Sequence, residues 1–203
     1  MFDARLRRAL DPVLTRGAAA LDRAWITPTW VTAAGLVLGL GSAVTAGLGW
    51  WAISAVLWLV SRVADGLDGP LARLRTARGQ GDSGAGGFFD ITADFTVYGA
   101  TVVGVAIGAD GAQWPFLLVL LAYYVNGAAF LTFSSIAERS GRTIDDGRSL
   151  SFLGGLAEGA ETIVVHTLWL VLPLWAPQIA AVWAAVVGVS GAQRIVAGYR
   201  ALR

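Results

Sequence analysis

Residues 65–94 read DGLDGPLARLRTARGQGDSGAGGFFDITAD, and the rest of the chain is understood from this stretch. Asp65, Asp68, Asp90 and Asp94 stand at the ends of apolar segments, where a carboxylate needs a reason. Asp65 and Asp68 are three apart, Asp90 and Asp94 four apart. On a helix either spacing puts both side chains on one face. Two such helices facing each other would gather four carboxylates in one pocket. Like charges do not share a pocket unless positive charge sits among them. A divalent cation, or a pair of them, is the natural filling. Ligation by carboxylate oxygens alone points to hard ions, Mg²⁺ or Mn²⁺.

The flanking sequence says where such a pocket would sit. Of 203 residues, 56% are hydrophobic and only 14% charged. A soluble domain carries about a quarter charged residues. Mean hydropathy is +0.63, the composition of an integral membrane protein. There is no cysteine, so no disulfide and no thiolate site. The basic residues are fifteen arginines and no lysine, and the net charge is +1. No nucleic-acid partner is expected. The first 25 residues are charged and lack the apolar run of a cleavable signal peptide.

Residues 1–26 are expected to form an amphipathic helix in the headgroup plane. Phe2, Leu6, Leu10, Val13, Leu14 and Leu21 recur at helical spacing among Arg5, Arg7, Arg8, Arg16 and Arg23. Residues 27–203 are expected to form one domain of six spans. These cover 29–50, 51–73, 88–108, 113–135, about 152–172 and about 178–198. Gly35, Gly39 and Ala43 make a small-residue stripe in the first span, suited to close packing. Gly69-Pro70 predicts a kink or loosening near the end of the second. All fifteen arginines fall in, or on helix ends beside, the N-terminal helix, the second and fourth inter-span loops and the C-terminus. The bias places both termini and the aspartates on the cytoplasmic side of a cell (inner) membrane.

Carboxylate-bound metal ions clamp phosphate oxygens and stabilise charge on attacking and leaving groups. Gly69 and Ala72, beside Asp65 and Asp68, would let a base or diphosphate approach the backbone. Arg73 adds a cation suited to phosphate. A carboxylate at the metal edge, such as Asp94, is a candidate base for an attacking hydroxyl.

DGLDGPLAR followed by GGFFDITAD resembles the signature of the CDP-alcohol phosphotransferase (CDP-alcohol phosphatidyltransferase) family. The matching positions are Asp65, Asp68, Gly69, Ala72, Arg73, Gly86, Asp90 and Asp94. The resemblance extends to the six-span layout and the N-terminal helix. It implies an enzyme of phospholipid synthesis that moves a substituted phosphate from a CDP-alcohol, CDP-diacylglycerol first among them, to a second alcohol and releases CMP. By the same resemblance two metal ions are held, Asp65 and Asp90 touching both, Asp68 the first and Asp94 the second. Asp94 would activate the acceptor. Gly69 and Arg73 would contact the donor, with Ser83 and the segment Thr29 to Thr32 also near the nucleotide. A homodimer is implied too. Two departures stand out: twelve residues separate Arg73 from Gly86, more than is common in the family, and Thr29 follows Pro28 where the family often has asparagine.

The acceptor pocket is expected from spans four to six. Its candidates are Ser134, Ser135, Arg139, Glu158, Glu161, Thr162, His166 and Arg194. Gly159 and Thr162 occupy positions where inositol-phosphate-using relatives carry arginines, which argues against that acceptor. Glu158 and Glu161 suit a hydroxyl-rich or cationic acceptor, or else pair with Arg148 or Arg194. His166 is expected to be a packed polar residue. Membrane prenyltransferases also use aspartate-rich helices, but with motifs far apart in sequence. A transporter would place its carboxylates near the bilayer midplane.

Overall fold

The computed structural model describes residues 2–80, 84–141 and 157–203, with side chains from residue 10 onward. Its described residues are all-helical. In chain order they form α1 (Phe2–Leu21), α2 (Pro28–Gly47), α3 (Trp51–Thr76), α4 (Ala85–Gly108), α5 (Trp114–Arg139), α6 (Gly159–Val171) and α7 (Ala176–Leu202). A single 3₁₀ turn, Pro173–Trp175, leads into α7.

Four segments among the described residues are long and apolar enough to cross a membrane: α2, α4, α5 and Pro173–Leu202. The expectation of an all-helical chain with apolar helices of membrane-crossing length is met. Helix α3 is 26 residues long but carries Arg62, Asp65, Asp68, Arg73 and Arg75 from its twelfth residue onward. Helix α6 has 13 residues and starts at Gly159, later than the expected span, because Glu158 before it is extended; residues 152–156 of that span lie outside the described residues.

Helix α2 is the spine of the site-bearing half. Thr27 caps it, its hydroxyl accepting from the Trp30 amide at 3.2 Å, and Pro28 fills the first turn. Gly49, at φ +74°, makes the tight turn into α3 that a side chain would strain. Buried serines then clasp the two helices. Ser42 Oγ donates to the Ser54 carbonyl at 2.9 Å, Ser54 Oγ to the Ser42 carbonyl at 2.8 Å, and Ser61 Oγ to the Gly35 carbonyl at 2.7 Å.

The small-residue stripe of α2 is used as expected. Gly35 lies on Ala64 of α3, while Gly39 faces Val97 of α4. A β-carbon at Gly104 would collide with the Ala43 carbonyl, and one at Gly108 with the Ala46 carbonyl. Helices α2 and α4 therefore touch backbone to backbone, as small residues permit in an apolar solvent.

Helix α3 runs through Gly69-Pro70 to Thr76, beyond the expected end at residue 73. Tertiary contacts carry it past the proline. Pro70 and Leu71 are buried, and Arg75 ties the last turn to the α1–α2 connection. Its guanidinium donates to Asp22 at 3.2 Å and to the carbonyls of Arg23 and Ile26 at 2.8 and 2.7 Å. Arg78 also bonds Asp22. Helix α1 packs on the same end of α3, with Ala18 buried against Leu71 and Val31. Arg16 and Arg23 are exposed.

The other half pairs α5 with α7. A buried cluster of Trp58, Val97, Phe116, Trp169 and Trp183 joins it to α3 and α4. His166 is fully buried there, stacked on Trp58 and bonded through Nε2 to the Tyr123 hydroxyl at 2.9 Å. Trp183 Nε1 donates to the same hydroxyl at 2.7 Å. The lone histidine is a packing residue, as expected.

Candidate active site

Helices α3 and α4 bring their acidic ends together beside the start of α2. Carboxylate oxygens of Asp65, Asp68 and Asp90 all lie within 4.8 Å of one another. Asp68 is buried, and the other two are half-buried. Three hard oxygen donors around one small space fit a divalent cation such as Mg²⁺ or Mn²⁺. Thr32, from α2, donates its hydroxyl to Asp68 Oδ2 at 2.6 Å, with the Pro28 carbonyl also within 3.1 Å. This contact orients the carboxylate, as polar neighbours of metal ligands commonly do.

Asp94 stands one helical turn beyond Asp90 and is held differently. Its Oδ1 accepts a 2.7 Å charged hydrogen bond from Arg62 Nη1. The same nitrogen lies 3.6 Å from Asp65 Oδ2. Arg62 is only 8% exposed. Its second terminal nitrogen donates to Ser61 Oγ at 3.1 Å. The rings of Trp58 and Tyr98 lie 5.1 and 5.0 Å from the guanidinium carbon.

Sequence reasoning missed Arg62 by treating every arginine as a loop or helix-end charge. The signal was present: an arginine eleven residues into a helix, three before Asp65 and so on its face. It also missed the way Asn126 secures Arg194.

The other donor-side candidates lie along the same edge. A β-carbon on Gly69 would meet Arg73 Nη1 at 3.3 Å, so the arginine folds back over the glycine. Arg73 Nη2 is 3.9 Å from Asp11 of α1, both side chains being well exposed. Ala72 is half-buried one residue earlier, and Gly86 sits in the first turn of α4. Thr29 is exposed in the first turn of α2. Ser83 lies outside the described residues, as does Arg148.

The acceptor candidates are more scattered. Ser134 is buried, with an Oγ that has no hydrogen-bond partner among the described residues. Glu161 opens α6 with its Oε2 in the same condition. Glu158 is the residue preceding α6, where its carbonyl accepts from Thr162 Oγ1 at 2.9 Å. Ser135 and Arg139 are exposed on α5. Arg194 is buried, with Nη1 3.1 Å from Asn126 Oδ1 and Nη2 3.4 Å from the Ala157 carbonyl. It also lines an open groove between α5 and α7 that none of the four aspartates reaches.

Residues 25–191 match the family model for CDP-alcohol phosphatidyltransferases. The chain belongs to the CDP-alcohol phosphatidyltransferase family. It is therefore an enzyme, a CDP-alcohol phosphotransferase of phospholipid synthesis. A curated relative, the inner membrane protein YnjF of Escherichia coli, is 32% identical over 212 residues, covering 100% of this chain and 98% of that one. Among solved structures, phosphatidylinositol phosphate synthase PgsA1 of Mycobacterium tuberculosis with CDP-DAG bound has the same fold. Its TM-score is 0.70 at 21% identity, covering 93% of this chain and 94% of that one. The same protein in complex with manganese and citrate matches at TM-score 0.70 and 22% identity, covering 92% and 88%. The all-helical CDP-alcohol phosphatidyltransferase fold thus frames the aspartate site, and it places the chain among membrane proteins.

Proposed function

We propose that this phosphatidyltransferase takes its phosphatidyl group from CDP-diacylglycerol, passes it to a second alcohol and releases CMP. The observation that carries this reading is the convergence of Asp65, Asp68 and Asp90 at one end of α3 and α4, with Asp94 beside them. CDP-DAG bound to PgsA1, a protein of the same fold, supports the choice of donor.

Two divalent cations per site, magnesium or manganese, would supply the positive charge that binds the diphosphate and stabilises the departing CMP oxygen. The chain's own residues do the rest. Asp65, Asp68 and Asp90 form the floor, and Thr32 holds Asp68 in place. Gly69 leaves space at the backbone for the nucleotide, and Arg73, exposed beside it, is free to swing from Asp11 onto a phosphate. Thr29, Ala72 and Gly86 complete the donor edge, and Ser83 is assigned to the donor from its place in the motif alone. Asp94 takes the proton from the acceptor hydroxyl, which then attacks the phosphorus next to the lipid alcohol oxygen. The P–O bond to CMP breaks, and CMP departs with that electron pair.

Ser134 and Glu161 offer polar atoms with no partner among the described residues, which favours a hydroxyl-bearing acceptor. Arg139, Glu158 and Arg194 are further candidates for its outer contacts. In this reading α1 lies at the membrane surface, and α2 to α7 make six crossings. The termini and the site face the cytoplasm, following the arginine bias, and the enzyme is a homodimer.

Purified enzyme with radiolabelled CDP-diacylglycerol, Mg²⁺ and a panel of alcohols tests the proposal. CMP release that depends on one alcohol is expected. Absence of release from any CDP-linked donor would overturn it.

A further inference from the structure

The mechanism above leaves one charged group unused. Arg62 is buried and held by five neighbours, Asp65, Asp94, Ser61, Trp58 and Tyr98. We propose that Arg62 is a built-in cation that occupies the Asp94 corner of the site and makes its two metal ions bind in order. The first ion enters among Asp65, Asp68 and Asp90. The second reaches Asp94 only when the donor's diphosphate is present. The inference rests on the two-metal reading and adds the order of filling.

Three observations carry it. Oxygens of Asp65, Asp68 and Asp90 lie within 4.8 Å of one another, and Asp94 adjoins Asp65 while holding Arg62. Asp94 instead spends Oδ1 on the guanidinium at 2.7 Å, and Asp65 shares the same nitrogen at 3.6 Å. Finally, Arg62 has nowhere else to go. The Trp58 and Tyr98 rings lie 5.1 and 5.0 Å from its guanidinium carbon, Ser61 holds one terminal nitrogen, and its buried Nε has no partner among the described residues. An arginine so confined acts as a fixed charge.

The charge count gives the order. Four carboxylates and one guanidinium carry a formal charge of −3. One divalent ion leaves the site slightly negative. A second would make it positive, with the guanidinium and two ions repelling one another at short range. A diphosphate adds the missing negative charge. Without Arg62 the four carboxylates would be neutralised by two ions alone, and the second would need no donor.

Mn²⁺ binding to the detergent-solubilised full chain, followed by electron paramagnetic resonance, tests this with CDP as the diphosphate probe. The wild-type protein is expected to take one Mn²⁺ without CDP and two with it. Arg62→Gln is expected to take two without CDP, its second site tightened on the order of tenfold or more. Arg62→Lys keeps the charge and should stay at one. Mn²⁺ should also raise the Tm of Arg62→Gln more than that of wild type.

Two ions on the wild type without CDP, or only one with CDP, would overturn the order of filling and leave the carboxylate site standing. So would Arg62→Gln staying at one. No Mn²⁺ under either condition would remove the metal reading itself and this inference with it. If Arg62→Gln does not fold, Arg62→Met, uncharged and of similar length, takes its place in the same titration with the same expected result.

Discussion

Thr32 and Asp68, 36 positions apart in the chain, are joined by a 2.6 Å hydrogen bond in the buried angle between α2 and α3. A carboxylate buried there needs a donor, and the hydroxyl supplies it. Thr32→Val keeps the shape and removes the donor. It is expected to weaken metal affinity by roughly 10–100-fold, read as a higher Mn²⁺ concentration for half-maximal CMP release. Thr32→Ser should restore most of it. Unchanged metal dependence in the valine variant would mean that Asp68 does not depend on this bond.

Asp94 is proposed as the base, and the Arg62 contact holds it in place. Asp94→Asn retains an oxygen for the guanidinium but cannot accept the acceptor's proton. CMP release is expected to fall by about 10²–10⁴-fold. CDP binding, measured by calorimetry, should persist. A variant with near-normal turnover would move the proton to another group.

Gly104 lies against the Ala43 carbonyl, where any β-carbon collides with backbone. Gly104→Val should push α4, and Asp90 with it, away from α2. The expected loss is about 1–3 kcal/mol, seen as a lower Tm in detergent, with reduced activity. Gly99, one turn nearer the site, has open space at its β position. Gly99→Ala should be neutral or gain roughly 0.5–1 kcal/mol from helix propensity.

Asp22 ties the end of α1 to the end of α3, and its hydrogen bond with Arg75 holds its carboxyl below the ordinary 3.8. A depressed folded pKa contributes stability above the ordinary carboxylate value, and that stability is lost as pH falls through the folded value. At neutral pH the tie is complete. Asp22→Asn should speed amide exchange at residues 22–26 and 73–79 at pH 7. The difference from wild type should shrink in acid, below the folded pKa. Equal exchange at pH 7 would show that the Arg75 contacts to the Arg23 and Ile26 carbonyls suffice without the carboxylate.

Much of the site was legible because its signals are local. Asp65 and Asp68 on one helix, and Asp90 and Asp94 on the next, show their face by spacing alone. The Gly35–Gly39–Ala43 stripe announced close contact, although its partner Gly104 was not paired with it in advance. The end of α3 was placed three residues early, since the Arg75 anchor that carries the helix past Pro70 to Thr76 comes from a distant connection. The acceptor pocket stayed diffuse because its candidates come from α5, α6 and α7, whose relative placement no spacing reveals.

The sequence by itself determined the family, the apolar helices and the four carboxylates, because each is written in residue type and short-range period. Only the tertiary structure decided that three of those carboxylates converge while the fourth faces Arg62. It also decided that Thr32 secures Asp68. Those outcomes depend on how closely α2, α3 and α4 approach. That closeness is a property of packed surfaces, set by small residues such as Gly35, Ser61 and Gly104 on three different helices.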